Sequence, residues 1–236
     1  MEEEKQSAKV KLQTVKKDKF YFKVNKKGKH VCIAENFLRV FVIPVLRLIY
    51  PFRVYGAKKV PDGACVLVGN HYGMFDTMYH GVTTWEGLHL FAKSSIQKFP
   101  WLKWFGERCG IIYVNRDGND VRGVMNAIKC LRHGDKVSLF PEGTRNKTDA
   151  EILPFMSGAS MIAIKAKVPI VPITLYMRTK PFKMQHVIVG EPVEFSEYYD
   201  KKLTEDLLKE ADEKLKSLIL QQRYDHAAYL KEKKKK

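Results

Sequence analysis

Apolar residues fall into short blocks along this chain, each closed by a turn residue or a charge. Residues 64–68, 88–92, 111–114, 136–140, 169–173 and 187–189 are such blocks. Their length and aliphatic, partly β-branched content predict strands, and 52–56 predicts a further short strand and turn. Helical spacing lies between them. Val121, Val124, Ile128 and Leu131 share one face of a helix over 120–131, which Gly134 stops. Residues 158–167 are also expected to be helical. A helix is expected to begin at 76 and run to about 85, and the aromatic stretch 99–105 predicts a short one. An amphipathic helix over 203–221 is expected to pack on the outside. Strands alternating with helices predict an α/β domain with a largely parallel central sheet flanked by helices. Reactive groups in such folds gather beyond the carboxyl ends of the strands.

One apolar stretch breaks the pattern. Residues 37–52 read FLRVFVIPVLRLIYPF, interrupted by Arg39 and Arg47, with Pro44 and Pro51 placed to bend or stop a helix. The unbroken run, 40–46, is far short of the roughly 20 residues that span a bilayer. The expectation is an interfacial helix whose arginines reach lipid phosphates while Phe37, Phe41, Leu46, Ile49 and Tyr50 dip into lipid. This divides the chain into a basic N-terminal segment (1–34), a membrane-interfacial helical segment (35–51), a main domain (52–198), and a C-terminal helix with a basic tail (199–236).

Composition sharpens the choice of partner. The chain has 236 residues and a formal net charge of +16, so an anionic partner is favoured. The charge sits at the ends. Residues 1–30 hold ten lysines against four acidic residues, and the last six residues read KEKKKK. Each surface-adjacent lysine is worth roughly 1 kcal/mol at an anionic bilayer. With the lysines in terminal tails and no nucleic-acid-reading motif in the core, nucleic acid is excluded as a partner. Cys32, Cys65, Cys109 and Cys130 show no metal-ligand spacing and suit a reducing compartment. No cleavable signal peptide is expected, because the first thirty residues are polar and lysine-rich.

Three strand ends carry the candidate chemistry. After the strand at 64–68 comes NHYGMFD, in which His71 and Asp76 stand five positions apart. A carboxylate on one ring nitrogen would fix the imidazole tautomer and stabilise the imidazolium that forms when the ring takes a proton. After 111–114 comes Arg116, and after 136–140 come Glu142, Gly143, Thr144 and Arg145. Two arginines are suited to clamping a phosphate, and Gly143 allows backbone to approach a ligand closely. Phe99, Trp101, Trp104 and Phe105 are candidates for an apolar groove that takes an acyl chain. No metal is expected, since His71 lacks further ligands at useful spacing and His80 and His89 look incidental.

Four blocks in order resemble the glycerophospholipid acyltransferase superfamily, and within it the 1-acyl-sn-glycerol-3-phosphate (lysophosphatidic acid) acyltransferases. They are His71 to Asp76 with Asn70 before it, GIIYVNR ending at Arg116, FPEGTRN from Phe140 to Asn146, and VPIVP from Val168 to Pro172. The resemblance implies transfer of an acyl group from acyl-CoA or acyl carrier protein, without other cofactors, to the sn-2 hydroxyl of lysophosphatidic acid. His71 would be the general base and Asp76 its orienting carboxylate. Arg116 and the Glu142–Arg145 loop would bind the glycerol phosphate, with Glu142 ordering the loop rather than touching phosphate. It also implies a peripheral or monotopic protein on the cytoplasmic face of a membrane. Residues 155–158 read FMSG, without the lysine that many members carry there. Two alternatives remain: acylation of a related hydroxyl, such as glycerol 3-phosphate or another lysophospholipid, and a non-catalytic membrane-binding module. The acyl donor, the chain length and the oligomeric state are left open.

Overall fold

A computed structural model describes residues 22–57, 60–115, 120–156 and 158–235. A two-stranded hairpin, β1 (Lys23–Val24) and β2 (His30–Val31), precedes a seven-stranded sheet. Its strands are β3 (Phe52–Gly56), β4 (Val66–Val68), β5 (Leu88–Lys93), β6 (Ile112–Val114), β7 (Lys136–Leu139), β8 (Ile170–Leu175) and β9 (Gln185–Val189), in the order β3-β9-β8-β4-β7-β5-β6. From β8 to β6 all neighbours are parallel, and β9 runs antiparallel to β8. The predicted α/β class is therefore the observed one.

Successive residues of β4 face opposite ways, as the period of a strand requires. Val66 and Val68 join a core with α5 (Val121–His133), α6 (Gly158–Ala166) and α7 (Glu205–Lys235). Cys65 and Leu67 join a second core with α3 (Asp76–Gly81) on the other face. Helix α4 (Pro100–Arg108) follows β5. Helix α7 is longer than the amphipathic 203–221 stretch predicts. It is also less peripheral: Ala211, Leu215 and Ile219 are fully buried one turn apart, and Ser160 donates to buried Asp212 at 2.6 Å.

The segment around residue 40 departs from expectation in an instructive way. It is helical from α1 (Ile33–Phe37) through a π turn (Leu38–Val42) into α2 (Ile43–Ile49). Pro44 does not stop it. The π turn widens the helix, Ile43 N–H reaches back to Leu38 O, and the missing proline donor falls at the start of α2, where a helix tolerates it. Arg39 points inward, away from any lipid phosphate. It is buried against Glu35 (3.0 Å) and donates to the carbonyls of Gly81 and Glu86, both at 2.9 Å. Arg47 lies over the Phe52 ring. The apolar stripe left exposed is Ile33, Phe37, Phe41, Val45 and Leu48, whereas Leu46 faces inward. Among the described residues no helix is long and apolar enough to cross a membrane.

Candidate active site

The sheet delivers His71 through a strand end that only glycine fits. A Cβ on Gly69 would lie 2.3 Å from Ile173 O and 2.6 Å from the His80 ring. Asn70 then continues the pairing with its side chain, accepting from Leu175 N–H at 2.8 Å and donating to Leu175 O at 2.9 Å. His71 follows at a fixed height above the carboxyl ends of β4 and β8. Its carbonyl accepts from Asn146 N–H at 2.7 Å.

Asp76 is the first residue of α3 and is fully buried. One oxygen, Oδ2, accepts from the N–H groups of Tyr72 (2.5 Å) and Gly73 (2.6 Å) and stands 3.0 Å from His71 Nδ1. A carboxylate offers only lone pairs here, so the hydrogen-bond pattern assigns the proton to Nδ1 and a lone pair to Nε2. Phe140 stacks on the imidazole at 4.1 Å with an interplanar angle of 13°, leaving the ring one route of tilt fewer. His80 borders the same phenyl ring, and burial pushes it down to about 3, with the nearby His71 acting in the same direction. It is a neutral, structural histidine.

Glu142 is buried, and both its oxygens are taken by backbone. Oε1 accepts from His71 N–H at 2.7 Å and Oε2 from Leu153 N–H at 2.9 Å. Burial raises its pKa, opposed by those same two N–H groups. The structure thus makes Glu142 a brace that ties the base to the loop after β7. Gly143 has φ +63°, and a Cβ there would lie 2.3 Å from Met156 Sδ. Its N–H is committed to Phe140 O at 3.0 Å within the turn. Thr144 and Arg145 are exposed at the tip. Arg116 lies outside the described residues.

None of the four aromatic groove candidates lines the apolar cavity beneath the N-terminal helices. Phe99, Trp101 and Trp104 on and before α4 point outward, and Phe105 is half-buried. Amphipathic residues at this spacing show that a helix has an apolar side, not which way that side looks. That cavity, of about 180 Å³, lies under α1 and α2, lined among others by Leu38, Ile43, Leu46, Phe75, Met78 and Leu90. Met74 and Phe75 carry its wall to the His71–Asp76 turn.

Several residues at the site were not singled out from sequence. Lys93 ends β5 opposite Val114 of β6, so it stands beside the segment that leads to Arg116. Lys93, Ser94, Ser95, Gln97, Lys98 and Asn115 line a polar hollow of about 550 Å³. A lysine directly after a strand is the same signal that picked out Arg116, and it was available at 93. Tyr72 accepts from Arg223 of α7 at 2.8 Å and donates to Glu151 O at 2.7 Å. Arg178 lies over the Tyr72 ring and donates to the carbonyls of Asn146 and Thr148. These contacts join residues thirty or more positions apart, and no local pattern announces them.

Known proteins resemble this chain in sequence and fold. The family profile described as Acyltransferase matches residues 51–176, more than half of the chain. A chloroplastic 1-acyl-sn-glycerol-3-phosphate acyltransferase of Brassica napus is 35% identical over 136 residues, 54% of this chain and 38% of that protein. A 1-acyl-sn-glycerol-3-phosphate acyltransferase of Borreliella burgdorferi is 30% identical over 57% of this chain and 54% of its own length. One of Bacillus subtilis is 28% identical over 62% of this chain and 75% of its own length. The alignments thus span well under two thirds of the first two relatives. The crystal structure of the 1-acyl-sn-glycerophosphate acyltransferase PlsC from Thermotoga maritima superposes with a TM-score of 0.61 at 23% identity, covering 80% of this chain and 77% of that one.

Proposed function

This chain belongs to the acyltransferase family, and from that premise we propose that it acylates the sn-2 hydroxyl of 1-acyl-sn-glycerol 3-phosphate with an acyl thioester, giving phosphatidic acid. The observation that carries the reading is the His71–Asp76 pair, with Nδ1 held by the carboxylate at 3.0 Å and Nε2 left with its lone pair. Nε2 takes the proton of the acceptor hydroxyl as its oxygen attacks the thioester carbonyl. The tetrahedral intermediate collapses, the C–S bond breaks, and the departing thiolate receives the proton from His71. Asp76 stabilises the imidazolium between these steps. No acyl-enzyme is needed.

We assign the acceptor's phosphate to exposed cations that follow the strands, Arg145 after β7 and Lys93 and Lys98 at and after the end of β5, together with Arg116, which the sequence places after the 111–114 block. Exposed cations there suit a dianionic headgroup. The acyl donor is acyl-CoA or acyl carrier protein, both acidic and both matched to a chain of net charge +16. The exposed stripe from Ile33 to Leu48 lays the protein on an anionic membrane surface as a peripheral or monotopic enzyme. Cys32 Sγ–H reaches Arg108 O at 3.4 Å, so α1 adjoins the end of α4, the other element rich in outward aromatics. The cytoplasmic face suits four buried free thiols.

The test is acyl transfer from palmitoyl-CoA and from palmitoyl-ACP to lysophosphatidic acid in anionic vesicles, with His71→Ala in parallel. Phosphatidic acid from the wild type, and a loss of at least about 10²-fold in the variant, is the expected result. Product formed equally by both proteins removes His71 from the mechanism. A folded, vesicle-bound wild type that makes no product from either donor removes the proposed reaction.

A further inference from the structure

At the amino ends of β5 and β7, roughly one strand length from His71, three histidines converge on one carboxylate. Asp135, directly before β7, is fully buried. His30 of β2 brings Nδ1 to its Oδ1 at 2.5 Å, and His133, the last residue of α5, brings Nδ1 to its Oδ2 at 3.2 Å. One ligand atom from each of His30, His133 and Asp135 falls within 4.8 Å of the other two. The two rings stand nearly perpendicular, 5.1 Å apart between centroids, with each Nδ1 turned to the Asp135 carboxylate. We propose that His30, His133 and Asp135 bind one divalent transition-metal ion of the zinc class.

Four observations support the assignment. The donor set is two imidazole nitrogens and a carboxylate oxygen, which zinc and its neighbours prefer and which calcium or magnesium do not. The separation of 3.2 Å between His133 Nδ1 and Asp135 Oδ2 is close to the edge, about 3.3 Å, of a tetrahedron with metal–ligand bonds of about 2.0 Å, whereas His30 Nδ1, at 2.5 Å from Oδ1, must draw back by about 0.8 Å to admit the ion. The supporting shell is built. His89 reaches Asp135 Oδ2 from the buried side at 3.2 Å, while its Nδ1 lies 2.6 Å from Gly110 O and Phe22 stacks on its face at 4.1 Å. An entry path exists too, because the His133 side chain is 38% exposed.

Each protein ligand is fixed by backbone. His30 is held by the bond from Gly87 N–H to its carbonyl at 2.9 Å. His133 is held by the helix end at Gly134, φ +102°, where a Cβ would meet the His30 ring at 2.8 Å. Sequence spacing hides the set, since only His133 and Asp135 are near neighbours. Bound metal would clip the β1–β2 hairpin, which runs directly into α1, to the sheet at the end opposite the acyl-transfer site.

The experiment uses the full chain, stripped with a chelator and then titrated with zinc, and with cobalt for its visible absorption. We expect one equivalent per chain by elemental analysis, and a tetrahedral or five-coordinate cobalt spectrum. At a hundredfold excess over Kd the melting temperature should rise by about 5–10 °C. His133→Ala, at an exposed position that should not impair folding, is expected to lose the stoichiometric ion, the spectrum and the thermal shift together. His186→Ala serves as a histidine control outside the cluster and should keep all three. Less than half an equivalent in the wild type, or equal binding by His133→Ala, overturns the proposal. In that outcome the three imidazoles simply satisfy a buried carboxylate.

Discussion

Replacing Glu142 with glutamine separates a brace from a substrate ligand. In the native site each carboxylate oxygen accepts one backbone N–H, from His71 at 2.7 Å and from Leu153 at 2.9 Å, in a buried setting. Glutamine keeps one acceptor oxygen and turns an NH2 group toward the other N–H, so one buried donor loses its partner. A buried unsatisfied donor costs about 1–3 kcal/mol, and the surviving bond loses its charge assistance, worth about another 1 kcal/mol. Against this, a neutral side chain escapes the burial that raises the Glu142 pKa. The net loss is about 2–3 kcal/mol, which for a chain of this size lowers the melting temperature by about 5–10 °C. His71 is one of the two residues released, and a displacement near 1 Å at a reacting group costs about 10²-fold in rate. The measurement is thermal melting together with steady-state transfer, with lysophosphatidic acid varied at saturating donor. A fall in kcat with nearly unchanged KM and a lower Tm is expected. A rise in KM with kcat and Tm unchanged would place the carboxylate on the substrate and refute this reasoning.

Other perturbations test neighbouring links. Gly143→Ala forces a side chain into the left-handed region, costing about 1–2 kcal/mol, and its Cβ would overlap Met156 Sδ; calorimetry should show a lower Tm and assays a distorted loop, and an unchanged melt would contradict the tight turn. His80 binds its proton only near pH 3 when folded but near 6.5 when unfolded, so the unfolded chain binds more protons between those values and stability should fall as pH drops below 6.5. The slope approaches about 1.4 kcal/mol per pH unit from this group, and denaturant melts of His80→Gln should show a shallower acid limb than the wild type. Phe37→Glu with Phe41→Glu removes two large side chains from the exposed stripe, and co-sedimentation with anionic vesicles should weaken by about tenfold or more. Unaltered binding would move the membrane contact to another surface.

The sheet was legible because each strand is a short apolar block and each reactive turn begins where a block ends. His71, Glu142 and the approach to Arg116 all fall at such ends, whereas the strand order and the antiparallel pairing of β9 with β8 follow from no local pattern. What the sequence could not disclose is what each polar residue meets. Arg39 looks like a lipid-facing charge within an apolar run. Its partners at Gly81 and Glu86 are carbonyls more than forty residues away, so only the closed fold turns it inward. Pro44 looks like a stop because the local rule assumes an α turn, and a π turn before it removes the conflict. The aromatic run from Phe99 to Phe105 marks an apolar helix side but carries no direction. Glu142 is expected to order its loop rather than touch phosphate, but only the closed fold shows that the N–H groups of His71 and Leu153 are what it holds. The histidines at 30, 89 and 133 carry no spacing signal, because the fold alone brings them to Asp135.

The same contacts imply a division of labour within the site. The base is located almost wholly through main chain: Asn70 pairs with Leu175, Glu142 takes the His71 N–H, Asn146 N–H takes the His71 carbonyl, and Asp76 is fixed by two amides. Thr144, Arg145 and Lys93 contribute to none of these bonds and stand exposed around it. Exposed charges are weakly coupled to stability, whereas buried acceptors are not. Substitutions at the rim should therefore alter which anionic acceptor binds while leaving the His71–Asp76 geometry in place. Substitutions among the braces should alter the rate for every acceptor alike. On the proposed function, acceptor choice and acyl-transfer chemistry are in this way separable on one strand-end scaffold, and the separation follows from which bonds the backbone makes.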